Sequence, residues 1–145
     1  MKILIQRTDE VKIVIGGKLH SCSGKGLLLF IGIRTGDSAE MIPYFIEKII
    51  NLRIFEDSAG KMNMSVKDIG GEIAAVSQFT LYADTSRGRR PGFSESAPPE
   101  MSEPLYNEFI VQLKKTGLKI AEGVFGAHME ISLINNGPAT FILER

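Results

Sequence analysis

Ser77, Gln78, Phe79 and Thr80 place a hydroxyl, a carboxamide, a phenyl ring and a second hydroxyl in direct succession. Before them, Glu72-Ile73-Ala74-Ala75-Val76 is mostly apolar and partly β-branched, long enough for a buried strand. After them, residues 84–104 turn to Arg, Gly, Ser, Glu and Pro, the chemistry of a long loop. Small polar groups at the end of a rigid strand are accurately placed for binding or catalysis. In the loop, Arg87, Arg89 and Arg90 surround Gly88. Glycine lets a backbone approach phosphate closely and arginine binds it bidentately; a solvated loop is the alternative.

A serine or threonine nucleophile needs a base and a group that orients the base. The sequence nominates neither for Ser77 or Thr80. The two histidines, His20 and His128, have no ligand spacing around them and read as partly exposed strand residues, so no metal and no cofactor is expected. Walker, G-x-G-x-x-G and G-x-S-x-G patterns are absent. Ser77 and Thr80 also fit a plain role satisfying nearby backbone groups, with Phe79 in the core. Lys114, Lys115 and Lys119 either extend the basic patch or form a solvated helix face. Asn136-Gly137 is a turn signal. Gly137-Pro138 adds an X-Pro bond of the kind that is cis in about 5–6% of folded cases.

The chain of 145 residues suggests one domain, spanning 1–145. Its 17 basic and 17 acidic residues exclude a global polyanion-binding field, so any nucleic-acid contact must be local. Cys22 is the only cysteine, which rules out an intrachain disulfide and suggests a reducing compartment. The first residues carry charge where a signal peptide needs an apolar core. No run approaches the roughly 20 apolar residues of a membrane span. A soluble, cytoplasmic protein without membrane contact is the expectation.

Ile3 and Ile5, then Val11, Ile13 and Ile15, alternate with polar residues as half-buried strands do. Gly16-Gly17 reads as a hairpin turn, and Leu27–Ile33 as a central strand. A helix follows with Asp37 or Ser38 as N-cap and Ile42, Phe45, Ile46, Ile49 and Ile50 on one face. Leu52–Phe55 reads as a short strand, while Lys61–Ile69 has no period. Leu105, Phe109, Ile110 and Leu113 mark a second helix. Residues 129–134 alternate as a strand, 135–138 turn the chain, and 139–143 form the last strand. The pattern predicts an α/β chain of mixed α+β character, a strand-rich single domain with antiparallel and mixed sheets, barrel-like or layered β/β/α, and two main helices. The helix between two strands makes a parallel crossover plausible.

SQFTLYAD at 77–84, GRRPGF at 88–93 and NGPAT at 136–140 resemble the D-aminoacyl-tRNA deacylases, also called D-tyrosyl-tRNA deacylases. The likeness spans the chain through Gln6-Arg7, Lys25–Leu28, Leu52–Phe55, Gly60–Asn63 and Phe125–Ala127. Ala139 and Asn136 depart from the family's usual Val and Asp. Ser77 and Phe79 match the chirality-enforcing branch rather than a sister family of relaxed chirality.

The resemblance implies hydrolysis of the ester joining a D-amino acid to the terminal adenosine of tRNA, with mischarged glycyl-tRNA as a further substrate. It also implies a homodimer whose sites lie between subunits. A cis Gly137-Pro138 corner from one subunit would face Ser77, Gln78, Phe79 and Thr80 of the other as a chiral filter. Backbone amides of Phe79 and Thr80 would form the oxyanion hole, the substrate's 2′-OH would assist water, and Arg87, Arg89 and Arg90 would contact phosphates. The competing expectations are a non-catalytic tRNA-end binding module, a serine or threonine hydrolase of small D-esters, and a site-less structural dimer.

Overall fold

The computed structural model describes every residue, Met1–Arg145. The first alternating runs merge into one strand, β1 (Lys2–Ile15), whose Ile3, Ile5, Val11 and Ile13 are fully buried. Gly16 and Gly17 take φ of 56° and 74°, the doubly positive geometry of a tight hairpin. They lead into β2 (Lys18–Ser23), antiparallel to Val11–Ile15. The apolar run after it forms β3 (Gly26–Gly32), antiparallel to Lys2–Thr8. One edge of β1 thus serves two partners, and its two halves enter different layers.

The periodic apolar face becomes α1 (Ile42–Asn51), which buries Ile42, Phe45, Ile46 and Ile49. Each such burial contributes about 1.5–3 kcal/mol relative to exposure. The expected cap is not made. Ser38 precedes a short 3-10 turn at Ala39–Met41 without a side-chain bond. Asp37 instead turns inward, accepting from the Met1 α-ammonium at 2.6 Å and the Arg34 N–H at 2.9 Å. A buried ammonium needs a carboxylate, whereas exposed helix amides can use water.

The strand expected at Leu52–Phe55 starts later, as β4 (Phe55–Glu56), paired with β5 (Met62–Met64). Next, β6 (Glu72–Ser77) lies parallel to β3, the crossover expected from the intervening helix. The two strands start so close that a Cβ at Gly26 would stand 1.8 Å from the Glu72 carbonyl oxygen. A 3-10 turn at Phe79–Tyr82 follows β6. The loop ends earlier than expected, because α2 (Pro99–Lys114) begins on the proline pair, where a missing N–H costs nothing. Then β7 (Ile120–Glu122) joins parallel to β6, and β8 (Glu130–Glu144) runs antiparallel to β1.

The turn expected at 135–138 does not reverse the chain. Gln6 faces Thr140 while Thr8 faces Asn135, so residues 136–139 bulge from one continuous strand. A glycine-proline signal is equally well met by a bulge, which also leaves ladder positions unpaired.

Leu27, Leu29, Ile31, Ile73 and Ala75 face both helices. On the opposite sheet face, Leu28, Ala74 and Val76 pack beneath Val11, Ile13 and Ala121. The Ser21 hydroxyl donates to the Glu122 carbonyl at 2.9 Å, tying β2 to β7. The result is the expected mixed α+β class, strand-rich and layered β/β/α, with a nearly closed barrel-like sheet and two helices.

Candidate active site

β6 carries Ser77 to the end of the sheet, where the Gln78 N–H donates to the Ile31 carbonyl at 2.8 Å. The first bond of the following turn runs from the Leu81 N–H to the Gln78 carbonyl at 3.3 Å. The N–H groups of Phe79 and Thr80 precede it and have no acceptor within the turn. Gln78 also donates its side-chain amide to the Thr80 hydroxyl. Tyr82 is buried behind the turn, its ring 4.8 Å from the Lys2 ammonium. Burial pushes its phenol up to about 12, so it stays neutral and supplies no base.

A cavity of about 570 Å³ opens beside this turn. Ser77, Gln78 and Phe79 form one wall, Ile31 and Ile33 the sheet side, and Pro98, Pro99 and Ser102 at the start of α2 another. Phe125–Met129, between β7 and β8, complete it. Phe79 is not core: it is 56% exposed and rests on Phe93, with ring centroids 4.9 Å apart. Aromatic pairs at this separation gain beyond their buried area.

Phe93 ends the arginine loop. Asp84 and Gly92 exchange two backbone hydrogen bonds of 2.8 Å, closing residues 85–91 into a projection. The Ser86 N–H donates to the Asp84 carboxylate at 2.9 Å and holds that group below the usual carboxylate range. Arg87, Arg89 and Arg90 are exposed on this projection without an ion pair. Lys114 and Lys119 do not join them: Lys114 pairs with Glu122 at 2.8 Å and Lys119 with Glu72 at 2.9 Å.

The Gly137-Pro138 bond is cis. Arg7, only 4% exposed, donates to the Asn136 carbonyl at 3.0 Å and the Gly137 carbonyl at 3.2 Å. It also donates to the Ile54 carbonyl at 2.5 Å. The Asn136 amide donates to both Asp9 carboxylate oxygens, at 2.9 and 3.1 Å. The corner is thereby fixed from both sides.

One chain gathers Ser77, Gln78, Phe79 and Thr80 and sets the arginine loop beside them through Phe93. It does not bring Gly137 and Pro138 there. The corner lies three strand spacings from β6 and four residues back along it, roughly 20 Å away by sheet geometry. His128 lines the cavity from a loop, contrary to its reading as a strand residue. Sequence reasoning gave no site role to Arg7, Phe93 or His128. Arg7 did leave a signal: it continues the Ile3, Ile5 alternation onto a buried face.

The sequence matches the family model described as D-Tyr-tRNA(Tyr) deacylase over residues 4–144. A D-aminoacyl-tRNA deacylase of Chlorobaculum tepidum is 53% identical over 145 residues, covering 99% of this chain and 97% of that protein. One of Thermosipho africanus is 50% identical over 144 residues, covering 99% and 97%. The solved structure of a c-Myc DNA unwinding element binding protein superposes with a TM-score of 0.93 at 40% identity, covering 100% of this chain and 99% of that one. A probable eukaryotic D-amino acid tRNA deacylase shares the fold at a TM-score of 0.87, with 15% identity and coverage of 98% and 97%. Matched by that model over residues 4–144 and 53% identical to a relative across its length, the chain belongs to the D-Tyr-tRNA(Tyr) deacylase family.

Proposed function

We propose that this protein is a D-aminoacyl-tRNA deacylase, hydrolysing the ester between a D-amino acid and the terminal adenosine of tRNA as a chiral proofreading step in the cytoplasm. Family membership supports the activity. The observation that carries the site assignment is the pair of amides at Phe79 and Thr80, unused within their turn, at the end of the segment whose Ser77, Gln78 and Phe79 line the cavity. Such fixed donors stabilise the oxyanion of ester hydrolysis, and losing one typically costs about 100- to 1,000-fold in rate. Ser77 and Gln78 border the bound substrate. No carboxylate or lysine lines the cavity with the turn, and the free 2′-OH of the terminal ribose assists the attacking water. Arg87, Arg89 and Arg90 meet the tRNA backbone.

The working unit is a homodimer. Ile134 and Ile142 on β8 are 55% and 60% exposed, and the edge of β8 away from β1 has no partner strand. A long open edge with apolar side chains favours pairing with another chain. The distance between corner and turn within one chain supports the same arrangement: Gly137 and Pro138 of one subunit face the Ser77–Thr80 segment of the other. Their carbonyls receive the substrate ammonium, which forces an L side chain against the corner and leaves a D side chain free. Glycine has no side chain to clash, so glycyl-tRNA is also hydrolysed.

The test is deacylation of matched D- and L-tyrosyl-tRNA by one preparation. Hydrolysis of the D form with the L form spared is expected. Salt-sensitive binding without turnover of either would instead make the protein a tRNA-end binding module.

A further inference from the structure

The geometry points to His128 as a further substrate-binding residue, its imidazole holding the phosphodiester on the 5′ side of the terminal adenosine at the cavity mouth. This rests on the deacylase reading above. The cavity walls are mainly apolar, with Ile31, Ile33, Phe79, Phe93, Phe125 and Met129. Such a lining suits a nucleobase or an aminoacyl group. A terminal nucleotide also brings a phosphodiester anion, and an apolar cavity cannot take up an unpaired charge without a large cost. The anion therefore stays at the rim.

His128 is the only ionisable side chain in the lining. It is exposed and is not used in any ion pair of the chain. The surrounding elements carry Glu95, Glu100, Glu103, Glu122 and Glu130, none of which lines the cavity. Glu122 is already paired with Lys114 at 2.8 Å. Arg87, Arg89 and Arg90 keep their charge at all relevant pH values and add no pH dependence.

Histidine ordinarily changes charge between about pH 5 and 8. An anion favours imidazolium, so substrate binding tightens towards acid and weakens as pH rises through that window. The α-amino group of the substrate ordinarily titrates near about 7.7–8 and contributes its own slope. Replacing His128 by a neutral residue leaves only that second contribution.

The experiment compares wild type, His128→Gln and His128→Lys on D-tyrosyl-tRNA from about pH 6 to 8. At the acid end, KM for His128→Gln is expected to exceed wild type by about two- to fivefold, the worth of one exposed charge pair. The two converge at the alkaline end, His128→Lys stays low throughout, and kcat is unchanged in all three. Cytidylyl-(3′→5′)-adenosine, whose phosphodiester keeps one charge throughout this range, should show the same pH dependence without turnover when titrated calorimetrically. Superimposable KM profiles for wild type and His128→Gln, or an effect confined to kcat, overturn the assignment while leaving the deacylase reading intact. A wild type inactive on D-tyrosyl-tRNA overturns both.

Discussion

The guanidinium of Arg7 donates to the carbonyl of Gly137 at 3.2 Å, joining residues 130 positions apart in sequence. The same group donates to the Asn136 carbonyl, so a buried cation without a carboxylate partner serves backbone oxygens of the corner. In Arg7→Met the corner oxygens lose their donor, and so does the buried Ile54 carbonyl, where an unsatisfied group costs about 1–3 kcal/mol. The variant should melt lower than wild type. It should also hydrolyse L-tyrosyl-tRNA measurably, because the corner no longer holds one position. A variant that is less stable yet fully discriminating would separate Arg7 from the filter.

Thr80 separates backbone from side-chain chemistry. Thr80→Ala keeps the N–H and should retain most activity. Thr80→Pro removes the donor at the second position of the turn, and should lower kcat by about 100- to 1,000-fold. Inactive Thr80→Ala with an intact fold would assign the chemistry to the hydroxyl. Substrate ending in 2′-deoxyadenosine should react far more slowly than its ribose counterpart.

A carboxylate on the open face of β8 opposes association. Ile142 is 60% exposed, so Ile142→Glu costs the chain's own core little. Sedimentation should show a shift from dimer to folded monomer, accompanied by loss of deacylation. An active monomer is the contrary result.

Acid should loosen two local ties. The Glu72 carboxyl is held below its ordinary 4.5 chiefly by the Gly24 N–H and by Lys119, and the Asp84 carboxyl below its ordinary 3.8 by Ser86. A depressed folded-state value means the stabilisation is fully present above the ordinary value and disappears as pH falls through the lowered one. Thermal melts should therefore decline below about pH 4.5. Glu72→Gln should show a shallower decline, while a parallel one would assign the acid sensitivity elsewhere.

Period-two alternation and the apolar run at 27–33 made the sheet and its helix layer legible, because local burial alone fixes such patterns. The motif turn was equally readable, since the apolar run stops at Ser77. Three features were hidden for physical reasons. Asn136-Gly137-Pro138 spells a reversal, but β1 continues opposite it, so tertiary pairing turned the signal into a bulge. Asp37 looks like a cap until the Met1 ammonium arrives beside it. His128 and Phe93 meet the motif only through folding, from 48 and 13 residues beyond Thr80.

Mixed dimers test the shared site most directly. A Cβ at Gly137 would meet only the Asn135 amide, at 3.4 Å, so the corner has room to begin a side chain, and Gly137→Phe adds a ring there. That ring should block a partner's cavity, while Thr80→Pro disables a chain's own turn. Each variant alone should be inactive. In a purified heterodimer of the two, both defects fall on one site and the other site is intact, so about half the wild-type rate on D-tyrosyl-tRNA should return with the L form still spared. A heterodimer as inactive as its parents would show that corner and turn do not meet across subunits.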